Sequence, residues 1–509
     1  MDQEKYAIID IGSNTMRLVI YLRENSGRLK EIENVKVVAR LRNYLSDDEI
    51  LSDKGIDILI DTLQSFSEVT KHHQLEDVKC VATATVRQAK NNEEIVKKVR
   101  KESGLTIRIL TEYEEAYYGY LAVVNTTPFD SGITIDIGGG STEFTYFSNR
   151  ELVNFHSFPF GALSLKKQFI NGDIPNQEEL VALKTFLLEQ FQALDWLQNK
   201  KLPIIAIGGS ARNLVQIHQE YVGYPIAGAH QYVMSDRDIF SVDEYLHSLS
   251  FSELQRVEGL SKDRADIIIP AIEVFKIVME IVSTELFALS RKGLRDGVFF
   301  EELTKDIGIS VFPNVLEESF YELATDYSID LNHVFYVTNC AMNISQLLNV
   351  TGLTSINRED SLLLKRAAFV YNVGAYIDTE SSSQHTFYLL ANRTIDGLLH
   401  RDRIIIALIA SYTSKASFKR YVTPYMHWFS KDELTKIRLL GAIIKLAYSL
   451  NATRRNIIKN IEIVSDKNEL EFVVTCYKDW KPEQYQVEKQ KKHLEKLLKK
   501  SILIHFKDE

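Results

Sequence analysis

Two hydrophobic rhythms run through the first part of the chain, and only one through the rest. From Tyr6 to about Asn125, short apolar runs give way to stretches whose apolar positions recur every three or four residues, the mark of strands alternating with helices. Three strand-like runs end near Ala39. The pattern then predicts a helix over 54–69, a buried strand over 78–82, a helix over 93–101 capped by Asn91 or Asn92 and closed by Gly104, and a strand over 107–110. Thr111 is the expected cap of the next helix. Near Gly132 the rhythm restarts, with strands over 132–136 and 143–147, a continuation to Phe158, helices within 177–197, a strand over 203–207, helices over 211–218 and 266–282, and a strand over 286–289. After Thr304 the spacing is helical throughout, over 315–324, 331–348, 361–377, 400–411 and 431–450. A small α+β piece is expected at the end, with strands over 461–464, 469–476 and 502–506 and a helix over 482–500. Boundaries are expected at 1–125, 126–303, 304–455 and 456–509.

The restart is a repeat. Ile135-Asp136-Ile137-Gly138-Gly139-Gly140-Ser141-Thr142-Glu143 places an acid, three glycines and two hydroxyls between apolar strands; Ile9-Asp10-Ile11-Gly12-Ser13-Asn14-Thr15 does nearly the same. Glycines let backbone N–H groups approach an anion, and hydroxyls add donors, so each loop reads as a phosphate cradle. A plain glycine hairpin that binds nothing is the alternative for one loop alone. A third glycine turn, Gly208-Gly209-Ser210, follows a strand and opens a helix, a ready anion site. Self-similarity of this kind implies a duplicated α/β unit with a cleft between the copies.

Composition narrows the partners. At 509 residues the chain is long enough for three or four domains, and its net charge of −9 argues against a general nucleic-acid binder. Residues 401–500 nevertheless hold 21 Lys and Arg against 11 Asp and Glu, either solvated helix faces or a basic lining for a long phosphate polymer. Cys80, Cys340 and Cys476 have no metal-ligand spacing and read as reduced, buried thiols of a cytoplasmic protein. The acidic start lacks the chemistry of a signal peptide. The most apolar helical run, near 404–410, is too short to span a membrane.

Seven motifs together carry a family resemblance. Asp10-Ile-Gly-Ser-Asn14, Ala84-Thr-Val-Arg-Gln-Ala89, Tyr113-Glu-Glu-Ala116, Asp136-Ile-Gly-Gly-Gly-Ser-Thr-Glu143, Gly208-Gly-Ser-Ala-Arg212, Gly259-Leu-Ser-Lys-Asp-Arg264 and Leu294-Arg-Asp-Gly297 resemble, in order, the exopolyphosphatase and guanosine pentaphosphate phosphohydrolase family. The resemblance implies an α/β fold of duplicated ribonuclease-H-like domains of the actin and sugar-kinase type. An all-α, HD-like domain and a small α+β cap would follow. The HD pair falls on Tyr371-Asn372, which leaves His333 and His385 without it, so no metal chemistry is expected in the C-terminal half.

By the same resemblance Glu115 is the expected general base. Gly12, Ser13, Asn14, Gly138, Gly139, Gly140, Ser141, Thr142, Gly209 and Ser210 would cradle phosphate, and Arg87 would meet phosphate oxygens with its planar fork. Asp10, Asp136 and Glu143 beside those loops make sense if Mg²⁺ lies between them and the substrate. The expected activity is Mg²⁺-dependent release of orthophosphate from the ends of inorganic polyphosphate by a homodimer. Hydrolysis of guanosine pentaphosphate (pppGpp) to the tetraphosphate is the alternative, and a non-catalytic phosphate or nucleotide sensor is a third.

Overall fold

The structure, a computed structural model, describes residues 4–24, 27, 29–75, 77–305, 308–466 and 469–509. Contacts divide it into two compact units, one of Met1–Tyr224, Gly228–Ser319 and Asp396–Leu398, the other of Pro225–Ala227, Phe320–Ile395 and Leu399–Glu509.

The first unit holds two sheets of the same plan. β1 (Lys5–Ile11), β2 (Met16–Arg23) and β3 (Leu29–Val37) form an antiparallel meander, and β4 (Val78–Ala82) and β5 (Ile107–Ile109) add in parallel beyond β1, giving the order β3-β2-β1-β4-β5. β6 (Gly132–Ile137), β7 (Thr142–Ser148) and β8 (Glu151–Phe158) repeat the meander. β9 (Ile204–Ile207) and β11 (Phe287–Leu289) repeat the parallel additions, and the two-residue β10 (Val233–Met234) closes the edge antiparallel to β11. The repeat read from the two loops is therefore a repeat of whole sheets.

Between the sheets runs the helix Glu112–Val124, buried from Tyr118 to Val124. Tyr118 packs with Ile8, Val19 and Val81 of the first sheet, whereas Tyr120, Leu121 and Val124 pack with Phe147 and Ile205 of the second. A helix apolar on nearly every side is stable only when enclosed in this way. Its counterpart after β11, the helix Leu294–Thr304, crosses it at Gly297, where a Cβ would overlap the Tyr118 carbonyl. Each lobe also has its own core. Leu59, Leu63, Phe66, Ile95 and Val99 lie under the first sheet, and Leu183, Phe191, Leu214, Phe275 and Val278 lie under the second.

The second unit carries the helices Leu331–Val350, Arg358–Phe369, Ser382–Asn392, His400–Ala410, Lys415–Val422 and Lys431–Ser449. It also holds a three-stranded sheet ordered β12 (Ile458–Ser465), β13 (Glu469–Cys476), β14 (Ser501–Asp508). The helices Lys481–Gln490 and Lys492–Leu498 make the crossover between the parallel β13 and β14.

Two local expectations need correcting. The helix predicted over 361–377 ends at Phe369, because Asn372 takes φ 64°, a left-handed conformation that no helix interior accommodates; a 3₁₀ turn, Val373–Tyr376, follows. Asn91 does precede the helix Asn92–Ser103, but its side chain caps nothing: it exchanges hydrogen bonds with the Leu51 backbone, accepting from its N–H at 3.1 Å and donating to its carbonyl at 2.9 Å. Among the described residues, no helix is long and apolar enough to cross a membrane.

Candidate functional site

The repeat brings its two loops to one cleft of about 470 Å³ within the first unit. Register explains how. Asp10 is the penultimate residue of β1 and faces Arg17 across the turn; Asp136 holds the same place on β6 and faces Glu143. In both copies the cross-strand partner comes seven residues after the acid, so the turn that presents the loop also presents a charged pair. Behind each loop a parallel strand ends in a helix. β4 leads into the short helix Ala84–Gln88, and β9 leads into Gly208–Tyr221, whose first N–H groups have no intrahelical acceptor.

The central helix supplies Glu115. Thr111 caps it in a reciprocal box: the Thr111 Oγ accepts from the Glu114 N–H at 3.2 Å, and Glu114 accepts from the Thr111 N–H at 2.8 Å. Glu114 is thus used as a cap and also pairs with Arg108, while Glu115 turns into the cleft. Burial raises the Glu115 carboxyl to about 7; Arg87, donating to it at 2.7 Å, pulls the other way, and the charges of Asp136 and Asp10 add to the rise. A helix N-terminus alone would lower it, so burial decides the sign.

The other acids are raised too. Asp136 is pushed up to about 6 by burial and then by Asp10, with Arg264 and Arg295 opposing. Asp10 is raised by burial, with Arg295 and Arg17 opposing; Arg295 donates to it at 3.4 Å. Glu143 is raised well above the usual range by burial and by the charges of Glu115 and Asp136, although it accepts a bond from the Ser157 hydroxyl at 3.0 Å.

Of the residues singled out from sequence, Asp10, Gly12, Ser13, Asn14, Glu115, Asp136, Gly138, Gly139, Ser141, Glu143 and Gly209 line the cleft. Arg87, Gly140, Thr142 and Ser210 do not. The Arg87 guanidinium is spent on Glu115 and on the Leu110 carbonyl. The Thr142 hydroxyl donates to the Phe160 carbonyl, Gly140 lies against the Ser13 hydroxyl, and the Ser210 hydroxyl accepts from Arg264 at 3.3 Å. Asn14 is 5% exposed, and neither its side-chain oxygen nor its nitrogen has a partner, so both are available to a group entering the cleft.

Five arginines in the lining, Arg17, Arg212, Arg264, Arg291 and Arg295, had no role assigned from sequence. Burial and then the charges of Arg291, Arg17, Arg295 and Arg264 push Arg212 down to about 10. Arg212, Arg264 and Arg295 stand inside the quoted motifs. Arg17 was legible in the seven-residue spacing shared with Glu143; Arg291 carried no signal.

Buried oxygen donors beside a phosphate site suit a hard cation such as Mg²⁺, which needs only one or two carboxylates and completes its shell with water and phosphate oxygens. Among the described residues, three ligand-type side chains within 4.8 Å of one another are found elsewhere, at Asp243, His247 and Glu273. There the carboxylates already have lysine partners: Lys276 pairs with Asp243 and, at 2.8 Å, with Glu273, and Lys184 pairs with Glu273 at 3.5 Å.

Duplicated sheets of this order, with glycine loops facing each other over a cleft, define the actin and ribonuclease-H-like class. The chain belongs to the Ppx/GppA phosphatase family, whose model matches residues 19–306, and domain III of that family matches residues 315–500. It is a phosphoanhydride hydrolase. A guanosine-5'-triphosphate,3'-diphosphate pyrophosphatase of Pseudoalteromonas atlantica is 23% identical over 489 residues, 92% of this chain and 91% of that relative. A protein of the same name from Vibrio vulnificus is 24% identical over 80% of both chains. The crystal structure of the Aquifex aeolicus family member is 28% identical and superposes with a TM-score of 0.53 over 60% of this chain and 99% of its own. An exopolyphosphatase from Cytophaga hutchinsonii shares the fold at 22% identity, with a TM-score of 0.54 over 61% of this chain and all of its own.

Proposed function

We propose that the protein is a Mg²⁺-dependent exopolyphosphatase that removes orthophosphate from the ends of inorganic polyphosphate. The observation that carries this reading is the cleft lining: five guanidinium groups and an unpartnered buried asparagine stand beside a carboxylate poised near neutrality. Phosphoryl transfer rests on positioning and charge neutralisation, and this wall offers both along more than one phosphate. Among the described lining residues there is no aromatic ring on which a base would stack, which favours a polymer of phosphate alone.

Glu115 is the base that takes the proton of the attacking water, and a carboxylate near pH 7 combines the right protonation state with useful basicity. Arg87 holds that carboxylate in place. Glycine-loop N–H groups, Ser13, Asn14 and Ser141 hold the terminal phosphoryl group, and the five arginines hold the phosphates behind it. One or two of Asp10, Asp136 and Glu143 would hold Mg²⁺, which would supply charge neutralisation on the phosphoryl oxygens.

Hydrolysis of pppGpp is the second reading, favoured by the names of the two relatives that match most of the chain. Comparing kcat/KM for orthophosphate release from long-chain polyphosphate and from pppGpp, both with Mg²⁺, decides between them. A preference for polyphosphate supports the proposal; a preference for the nucleotide replaces it with the second reading.

A further inference from the structure

Two of the phosphate loops sit on different lobes, and a chain of polar contacts joins them. On the first lobe, the Arg40 N–H donates to the Asn14 carbonyl at 2.9 Å and the Arg42 N–H to the Ser13 carbonyl at 3.1 Å, so this segment is the backing of the first loop. Arg40 is held at φ 45°, a conformation that a side-chain-bearing residue keeps only when its surroundings impose it.

From that position its guanidinium reaches the second lobe. It donates to both Asp266 oxygens, at 3.1 and 3.3 Å, and to the Asp263 carbonyl at 3.0 Å, a forked arrangement that fixes direction as well as distance. Lys36, at the end of β3, adds a bond to the Asp263 carboxylate at 3.0 Å. Asp263 and Asp266 flank Arg264, whose guanidinium lies on Gly209, where any Cβ would collide with it, and donates to Ser210 at 3.3 Å. On its other side this loop is pinned to its own lobe, for Asn213 donates to the Gly259 carbonyl at 3.2 Å. Arg40 therefore links the loop at Ser13 and Asn14 to the arginine that covers the turn at Gly209 and Ser210.

We infer that Arg40 and Asp266 are positioning residues for phosphoanhydride hydrolysis: their ion pair sets the register between the phosphate loop of one lobe and Arg264 with its glycine turn on the other. Neither residue lines the cleft. The pair has only partial solvent exposure, and its geometry is what the cleft on either side of it inherits. Lys166, which also pairs with Asp266 at 3.3 Å, belongs to the same lobe as its partner and provides an internal control.

The inference rests on the reading of this cleft as the hydrolytic site, so the test runs beside Glu115→Gln. Steady-state phosphate release would be measured from long-chain polyphosphate and from pppGpp with Mg²⁺, together with thermal unfolding, for Arg40→Gln, Asp266→Asn, the double variant, Arg40→Lys and Lys166→Gln. Each of the first two should lower kcat about tenfold or more, because displacements near 1 Å are costly in a positioned site. The double variant should lose no more than either single, Arg40→Lys, which keeps the charge but not the fork, should recover only part of the rate, and Lys166→Gln should match wild type. Single variants that unfold earlier but keep kcat and KM within about twofold of wild type would reduce the pair to a stability element and overturn the inference, as would losses that multiply in the double variant. Undiminished turnover in Glu115→Gln would instead overturn the reading of the cleft.

Discussion

Glu115 carries an electrostatic cost that makes it testable apart from catalysis. Its carboxyl is raised from 4.5 to about 7, so between those values the folded protein holds a proton that the unfolded chain has released. The stability tied to this group is present below pH 4.5 and is lost as pH rises through 7. Glu115→Gln, which mimics the protonated form, should be more stable than wild type at pH 8, by up to about 3 kcal/mol, and the difference should vanish below pH 4.5. The opposite trend in a pH series of thermal melts would mean that Arg87 outweighs burial. Activity should run the other way, with kcat/KM rising toward alkaline pH through about 7 as the base deprotonates. Acid, glycine and hydroxyl positions of the cleft were legible because they repeat along the chain. The partners of Arg87, Thr142 and Ser210 were not, since a side chain's choice between substrate and a neighbouring group is made by packing that sequence spacing does not display.

At the scale of elements, the crossing of Glu112–Val124 with Leu294–Thr304 sets where Glu115 stands. Gly297→Ala would push against the Tyr118 backbone, which has no rotamer to yield, and the two helices would have to separate. We expect a loss of about 1–3 kcal/mol or more in denaturant unfolding, with kcat reduced because Glu115 rides on the displaced helix. Gly209→Ala should spare stability more and harm substrate use, by expelling Arg264 from its seat; a rise in KM for polyphosphate of about tenfold would show it. Strongly periodic elements such as Asp53–His72, Ile268–Val282 and Lys431–Ser449 were legible from their apolar spacing. The break after Phe369 was not, because Asn372 announces a left-handed residue only weakly, and the surrounding apolar spacing continues across it.

For the whole molecule, the duplication is the main fact, and it was legible from two short loops. The two copies are not identical in charge: the residue facing the loop acid across the strands is Arg17 in one copy and Glu143 in the other. The net charge of −9 also conceals the basic 401–500 segment, which lies in the second unit. If that segment assists a long polyanion, KM for long-chain polyphosphate should rise several-fold between about 50 and 200 mM salt, with a weaker dependence for pppGpp. Equal salt dependence for the two substrates would leave the lysines as solvated helix faces.

If Glu115 activates water against a phosphate held by the two loops, its loss should stop the chemical step and spare binding. The most direct test is to measure polyphosphate binding and single-turnover phosphate release on Glu115→Gln with Mg²⁺ present. Binding should stay within a few-fold of wild type, and release should slow by about 10² to 10⁴. Release at the wild-type rate, with binding intact, would contradict that role for Glu115.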